Sequence, residues 1–118
     1  MNDRHAATLD AKFVALADPT RRRVIEALRN GELRAGELAE AVEMTPPALS
    51  RHLRVLRRAG LVVEHGSSED ARVRLYRLER GAFGRVRAWL DDVEEFWNDQ
   101  LQAFKSHAEG GVRGRRRR

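Results

Sequence analysis

The chain has no cysteine. That single absence excludes structural disulfides, thiolate metal sites and cysteine nucleophiles together. No apolar run approaches the ~20 residues that span a bilayer. The N-terminal stretch MNDRHAATLD lacks the apolar core of a secretory leader. The expected setting is soluble and cytoplasmic, with no membrane partner. Also missing are a Gly-rich phosphate loop and any His–carboxylate set with catalytic spacing. Ser50 and His52 are neighbours in sequence, but side chains two apart on a helix point about 200° away from each other. They form no nucleophile–base pair, and no enzyme is expected. Lysine is scarce, 2 residues against 21 arginines. A GC-rich genome explains that bias as well as selection for phosphate binding does.

Nor is there a general excess of positive charge. The formal net charge is +5, and Arg113, Arg115, Arg116, Arg117 and Arg118 at the C-terminus account for all of it. Residues 1–112 balance 18 basic against 18 acidic side chains. The informative feature is separation. The segment from Thr45 to Leu61 holds only basic charge, whereas Asp91, Asp92, Glu94, Glu95 and Asp99 crowd a short acidic stretch. With 118 residues and 42% apolar content, one small folded domain is expected.

In chain order, residues 1–7 read as a disordered N-terminus. Thr8 to Ala17 reads as a short helix with Leu9, Phe13 and Leu16 at helical spacing. Asp18 then caps a second helix with Pro19 at its first position, where a missing N–H costs nothing. This helix runs to about Asn30 and buries Val24, Ile25 and Leu28. Arg21, Arg22 and Arg23 crowd its first turn, the unfavourable end of the dipole for cations. A phosphate, an acidic neighbour or plain solvent could each receive them. Asn30-Gly31 stops the helix. Leu33 to Ala35 suits a short edge strand. Glu37 to Val42 reads as a third helix with Leu38, Ala41 and Val42 inward, and no capping side chain stands near Arg34.

After the turn at Glu43-Met44, Thr45 caps a fourth helix, Pro46 opens it and Gly60 closes it. At about 100° per residue, Ala48, Leu49, His52, Leu53, Leu56 and Ala59 share one face. Ser50, Arg51, Arg54, Arg57 and Arg58 share the other, with no acid among them. An ordinary solvated face mixes signs. This one suits nucleic acid. Two short helices joined by a tight turn, the second basic outside, form a helix-turn-helix. Leu61 to Val63, the polar HGSSEDA and then RVRLYRL make a β-hairpin, the wing. Arg72 and Arg74 alternate onto one of its faces.

From about residue 82 to 108 a long helix carries Phe83, Val86, Leu90, Val93, Trp97, Leu101 and Phe104 at near-heptad spacing, widened by Trp89 and Phe96. So large a second stripe on so small a chain suits a subunit interface, together with Phe13 and Leu16 of the first helix. The tail GGVRGRRRR, residues 110–118, reads as a disordered arm adding non-specific DNA affinity.

The segments FVALADPTRRRVIEALRNGE, GELAEAVEMTPPALSRHLRVLRRAGLV and RLYRL resemble the ArsR/SmtB family of bacterial winged-helix repressors over about residues 12–80. The resemblance implies a mainly α fold with a small β-hairpin: a winged helix-turn-helix over residues 8–109, with helices at both chain ends forming a dimer interface. It implies a homodimeric repressor of double-stranded DNA, often controlling its own gene. Many members sense metals. Their thiolate site lies in the third helix, in an E-L-C-x-C-[DE]-L-like segment, and here Arg34 and Gly36 stand where its sulfurs would be. A second family site uses Asp and His on the last helix, and its Asp-x-His element is absent, His107 being the sole imidazole there. The sequence is closer to the non-metal branch, with no metal and no cofactor expected and the inducer open.

DNA contact is expected from Thr45, Pro47, Ser50, Arg51 and Arg54 at the start of the fourth helix, where base edges are met. Arg57, Arg58, Arg72 and Arg74 are expected to hold phosphates. The dimer seam is expected from Phe13, Leu16, Val86, Leu90, Val93, Trp97, Leu101 and Phe104. Two alternatives stay open: a winged module that binds proteins instead of DNA, and a metal-responsive repressor using His and carboxylates of the last helix.

Overall fold

A computed structural model describes the backbone of residues 2–116 and the side chains of residues 9–110. The disorder expected at the two chain ends falls largely outside those described side chains. The order of elements is α1 (Asn2–Leu16), α2 (Pro19–Ala27), β1 (Leu33–Arg34), α3 (Ala35–Ala41), α4 (Pro46–Arg58), β2 (Val62–Gly66), β3 (Arg74–Leu78) and α5 (Gly84–Arg116). Helix α1 thus starts earlier than Thr8, and α5 starts later than residue 82 and extends past 108. The chain divides into two compact units between Val86 and Arg87. No helix among the described residues is long and apolar enough to cross a membrane.

The first unit is organised by its caps. Asp18 accepts from the Thr20 and Arg21 amides at 2.7 and 3.1 Å and starts α2. Those two backbone bonds, Arg21's first, hold its carboxyl below the usual carboxylate range. Helix α3 lacks a capping side chain at Arg34, as expected, but Glu37 compensates. Its carboxylate reaches back one turn to the Arg34 amide at 2.9 Å, which is half of a capping box. The turn from α3 to α4 passes through Glu43 at φ 54, a left-handed residue that reverses the chain within a few positions. Thr45 Oγ1 then accepts from the Ala48 amide at 3.4 Å, and Gly60 leaves α4 at φ 73.

The core is one cluster. Val24 and Leu28 of the α2 segment, Leu38, Ala39 and Val42 around α3, and Leu49, Leu53 and Leu56 of α4 meet under Leu61 and Val62. Ala39 is buried and Ala41 exposed, the reverse of the expected inward face of α3. Residues 38, 39 and 42 follow the i, i+1, i+4 spacing of one helical stripe, so a seven-residue helix can bury Leu38 and Val42 with either alanine between them. The three strands form an antiparallel sheet in the order β1–β3–β2. Leu33 pairs with Tyr76, and Val62, Glu64 and Gly66 pair with Leu78, Tyr76 and Arg74. This is a winged helix-turn-helix, mainly helical with a small sheet.

The second unit is the rest of α5. Leu90, Val93, Phe96, Trp97, Leu101 and Phe104 are all exposed there, from 46% at Leu101 to 73% at Phe104. Val86, expected in that seam, is buried at 8% instead, and Phe83 packs against the core cluster. The first turns of the expected stripe therefore close the domain's own core, and the free apolar face begins beyond them. Leu16 also packs on that core, and Phe13 is half-buried.

Candidate nucleic-acid interface

Helix α4 presents its two faces as its periodicity dictates. Leu49, Leu53, Leu56 and Ala59 are buried and His52 is half-buried, while Ser50, Arg51, Arg54, Arg57 and Arg58 are exposed. Thr45, Pro46 and Pro47 are exposed at the start of the helix. The apolar anchor fixes the helix against the core, and five outward positions offer a hydroxyl and four cations.

Those cations are not equivalent. Arg51, Arg54 and Arg58 engage no hydrogen bond or ion pair among the described residues. Arg57 is held by the Glu64 carboxylate of β2. The other oxygen of Glu64 accepts from Arg74 Nε at 2.6 Å. The bond from Arg74 and the charge of Arg57 keep the Glu64 carboxyl below the usual range, although burial pushes the other way. Glu64 carried no signal in the sequence, because only the register of β2 on β3 brings it between the two arginines.

Arg72 departs from its expected place. It precedes β3 and so does not alternate with Arg74 on one strand face. Its guanidinium turns back on Asp70 at 3.2 Å while remaining 92% exposed. The Arg72 amide also donates to Asp70 Oδ1 at 3.0 Å, closing an Asx turn at the tip of the wing. Arg74 opens β3, half-exposed, on the side of the sheet that Glu64 occupies.

The arginines of α2 meet helix carbonyls, and Arg21 also meets an acidic neighbour, Asp18, at 3.8 Å. Arg21 donates to the carbonyls of Ala15 and Val14 at 2.8 and 3.0 Å, and Arg22 to that of Leu16 at 2.7 Å. These carbonyls lie in the last turn of α1, the negative end of its dipole, where Val14's also accepts from the Ala17 amide at 3.2 Å. Arg23 reaches the Val42 carbonyl at the end of α3, 3.0 Å away. Their task is to tie three helices together. A second residue that the sequence did not single out does the same for α4. Lys12 is buried, and its Nζ donates to the Ala59 carbonyl at 2.9 Å.

Among the described residues, no group of three or more His, Asp or Glu side chains could hold a metal ion. The wing is tied to the α2–β1 turn by His65 Nε2 and the Glu32 carboxylate, 2.8 Å apart.

Comparison with known proteins agrees with this geometry. Residues 18–63, from the cap of α2 through α4 into β2, match the family described as bacterial regulatory protein, arsR family. The chain is 36% identical over 95 residues to the HTH-type transcriptional regulator Rv2034 of Mycobacterium tuberculosis, a match over 80% of this chain and 83% of that protein. It is 38% identical over 53 residues to the transcriptional repressor SdpR of Bacillus subtilis, over 45% of this chain and 59% of that protein. A crystal structure of an ArsR family transcriptional regulator superposes with a TM-score of 0.69 at 35% identity, over 79% of this chain and 93% of that one. With most of the mycobacterial regulator's length covered at that identity, the chain belongs to the arsR family of bacterial regulatory proteins and is a DNA-binding transcriptional regulator, not an enzyme.

Proposed function

We propose that the chain is a homodimeric cytoplasmic repressor that reads an inverted-repeat operator. The observation that carries the reading is the outer face of α4, where Ser50, Arg51 and Arg54 stand exposed and unclaimed near the N-terminal end of a helix anchored by three buried leucines. That end of a recognition helix enters the major groove. A guanidinium there can grip guanine O6 and N7 in a bidentate contact worth about 1–3 kcal/mol of discrimination. Arg58, Arg57, Arg74 and Arg72 lie further along the helix and on the wing, and their task is phosphate contact and register.

The second half of the reader comes from a second copy. Leu90, Val93, Trp97, Leu101 and Phe104 form the exposed apolar stripe of α5, a surface that water disfavours and that an identical helix can cover with two-fold symmetry. A dimer sets two α4 helices about 34–36 Å apart, one turn of DNA. The response is not to a thiolate-bound metal at α3, since Arg34 and Gly36 occupy the positions such a site needs. Repression is steric, and the protein associates with the nucleoid as its DNA partner requires.

The test is selection of bound duplexes from a random pool, followed by fluorescence anisotropy on the selected and a scrambled duplex at fixed salt. The selected sequence should be an inverted repeat. Arg51→Ala or Arg54→Ala should lose roughly 5- to 150-fold of discrimination, the equivalent of about 1–3 kcal/mol. Selection that returns no preferred sequence, or variants that discriminate as well as the parent, would overturn this assignment of faces.

A further inference from the structure

The wing and the recognition helix share one acid. Glu64 lies on β2 with its side chain only 15% exposed, yet each of its carboxylate oxygens meets a different guanidinium. One belongs to Arg57 in the last turn of α4, the other to Arg74 at the first position of β3. Both arginine side chains stay partly exposed, at 42% and 50%, so the two guanidiniums are not enclosed by the clasp. Among the described residues, Arg51, Arg54 and Arg58 on the outer face of α4 have no such partner. A single carboxylate thus counts against the two cations that flank the junction of helix and wing, and the trio carries one net positive charge.

We propose that Glu64 is a specificity-determining residue, a shared counter-ion that locks the wing to α4 and suppresses binding to random DNA. The proposal rests on α4 and the wing facing DNA. Non-specific affinity comes from phosphates that displace condensed counterions, and it grows with each cation free to meet one. Arg57 and Arg74 are not free in that sense. Each spends a donor on Glu64, and a phosphate that approaches either one also approaches a carboxylate. An arginine has five N–H donors in a planar fork, so a phosphate can be bound by the donors left over without breaking the clasp. Only a backbone in register on both α4 and the wing places phosphates on both guanidiniums. Out of register, the carboxylate repels. Glu64 therefore penalises random complexes more than the cognate one, and it also fixes the angle at which the wing follows the helix.

The experiment compares the full chain with its Glu64→Gln variant, which keeps the shape and one acceptor but removes the charge. Anisotropy is read as a salt titration on the selected duplex and on a scrambled one. Removing one negative charge should steepen the slope of log K against log salt by about 0.9 on scrambled DNA, and raise that affinity up to about 8-fold near 0.1 M salt. Affinity for the selected duplex should rise less, so the ratio of the two falls. Glu64→Asp, which keeps the charge, should retain the parent slope, a result that a merely structural role does not predict. A Glu64→Gln variant with native circular dichroism, an unchanged slope and an unchanged or weaker affinity for scrambled DNA overturns the proposal while leaving the DNA-binding face intact. A parent chain that binds neither duplex overturns both.

Discussion

Replacing Lys12 by methionine tests how α4 is anchored. Lys12 is 6% exposed, and its Nζ lies 2.9 Å from the carbonyl of Ala59, the C-cap of α4. The last carbonyls of a helix have no partner within it. Here Arg57 and Leu56 give theirs to the amides of Gly60 and Leu61, both at 3.0 Å, and Ala59 gives its own to Lys12. Methionine matches the length of the lysine stem but donates nothing. Ala59 is 1% exposed, so its carbonyl is then stranded away from water, at a cost of about 1–3 kcal/mol. Against this, the variant no longer buries an ammonium. Burial, and next the charge of Arg85, already lower the Lys12 pKa, so part of the loss is recovered. A net destabilisation of about 1–2 kcal/mol follows, which lowers the midpoint of thermal unfolding by roughly 5–15 °C for a domain of this size.

The sign of the pH dependence gives a second reading. The folded pKa lies below the unfolded one, so between the two the unfolded chain binds more protons and stability rises with pH. In the window just below the ordinary lysine range, the parent should therefore gain stability relative to Lys12→Met, because a neutral amine still donates to Ala59 without the burial penalty. Circular dichroism melts of both chains across neutral and alkaline buffers measure this. Gly60→Ala probes the same joint, since the residue sits at φ 73 and an added Cβ would lie 3.3 Å from Nζ. An L-residue there costs roughly 1–2 kcal/mol from the backbone alone. A Lys12→Met chain as stable as the parent, with no change in its pH profile, would show that α4 is held by its leucines alone.

Leu101→Glu places a charge in the exposed stripe of α5, at a side chain the unit itself leaves 46% exposed. The expected result is a folded monomer in sedimentation velocity with operator affinity lost, and a dimeric, fully active variant contradicts the seam. Asp18 stabilises α2 as a carboxylate whose pKa is lowered chiefly by the Arg21 amide, with the Thr20 amide adding to it. Its contribution is complete at neutral pH and is lost as the pH falls through that lowered value. Asp18→Ala should therefore melt lower at neutral pH and approach the parent in acid, and parallel melts that never converge would argue against the cap.

The reading helix was legible because its information is local. Thr45-Pro46, the leucines at 49, 53 and 56 and Gly60 specify start, face and stop within sixteen residues of chain. The two strands of the wing were legible for the same reason, though the tip was not. Arg72 looks like a strand residue by alternation, but Asp70 two positions earlier offers its amide a closer acceptor. What escaped were the long side chains whose partners lie far off in sequence. A lysine on an amphipathic helix reads as solvated, and nothing near Lys12 points to a carbonyl 47 residues away. Arg21 and Arg22 look misplaced at the positive end of α2. They are well placed once the tight connection through Ala17 and Asp18 is seen to set them against the negative end of α1. The exposed stripe of α5 was visible as a period, but periodicity does not say where the domain's own core ends. Burial of Val86 shows that the core claims the first turn of α5.

The arginines, taken as a set, explain how a domain with no net charge outside its tail can address a polyanion. Arg21, Arg22 and Arg23 are committed to helix carbonyls, Arg21 to Asp18 as well, and Arg57, Arg72 and Arg74 to carboxylates. Arg51, Arg54 and Arg58 engage no partner among the described residues and stand on one helix face. Phosphate attraction scales with the number of free cations, whereas base discrimination depends on where a few of them stand. A chain that neutralises Arg57 and the wing arginines and leaves Arg51, Arg54 and Arg58 uncommitted lowers the first without touching the second. If Glu64 acts as proposed, that one acid beside the wing sets how little the protein binds where the sequence is wrong.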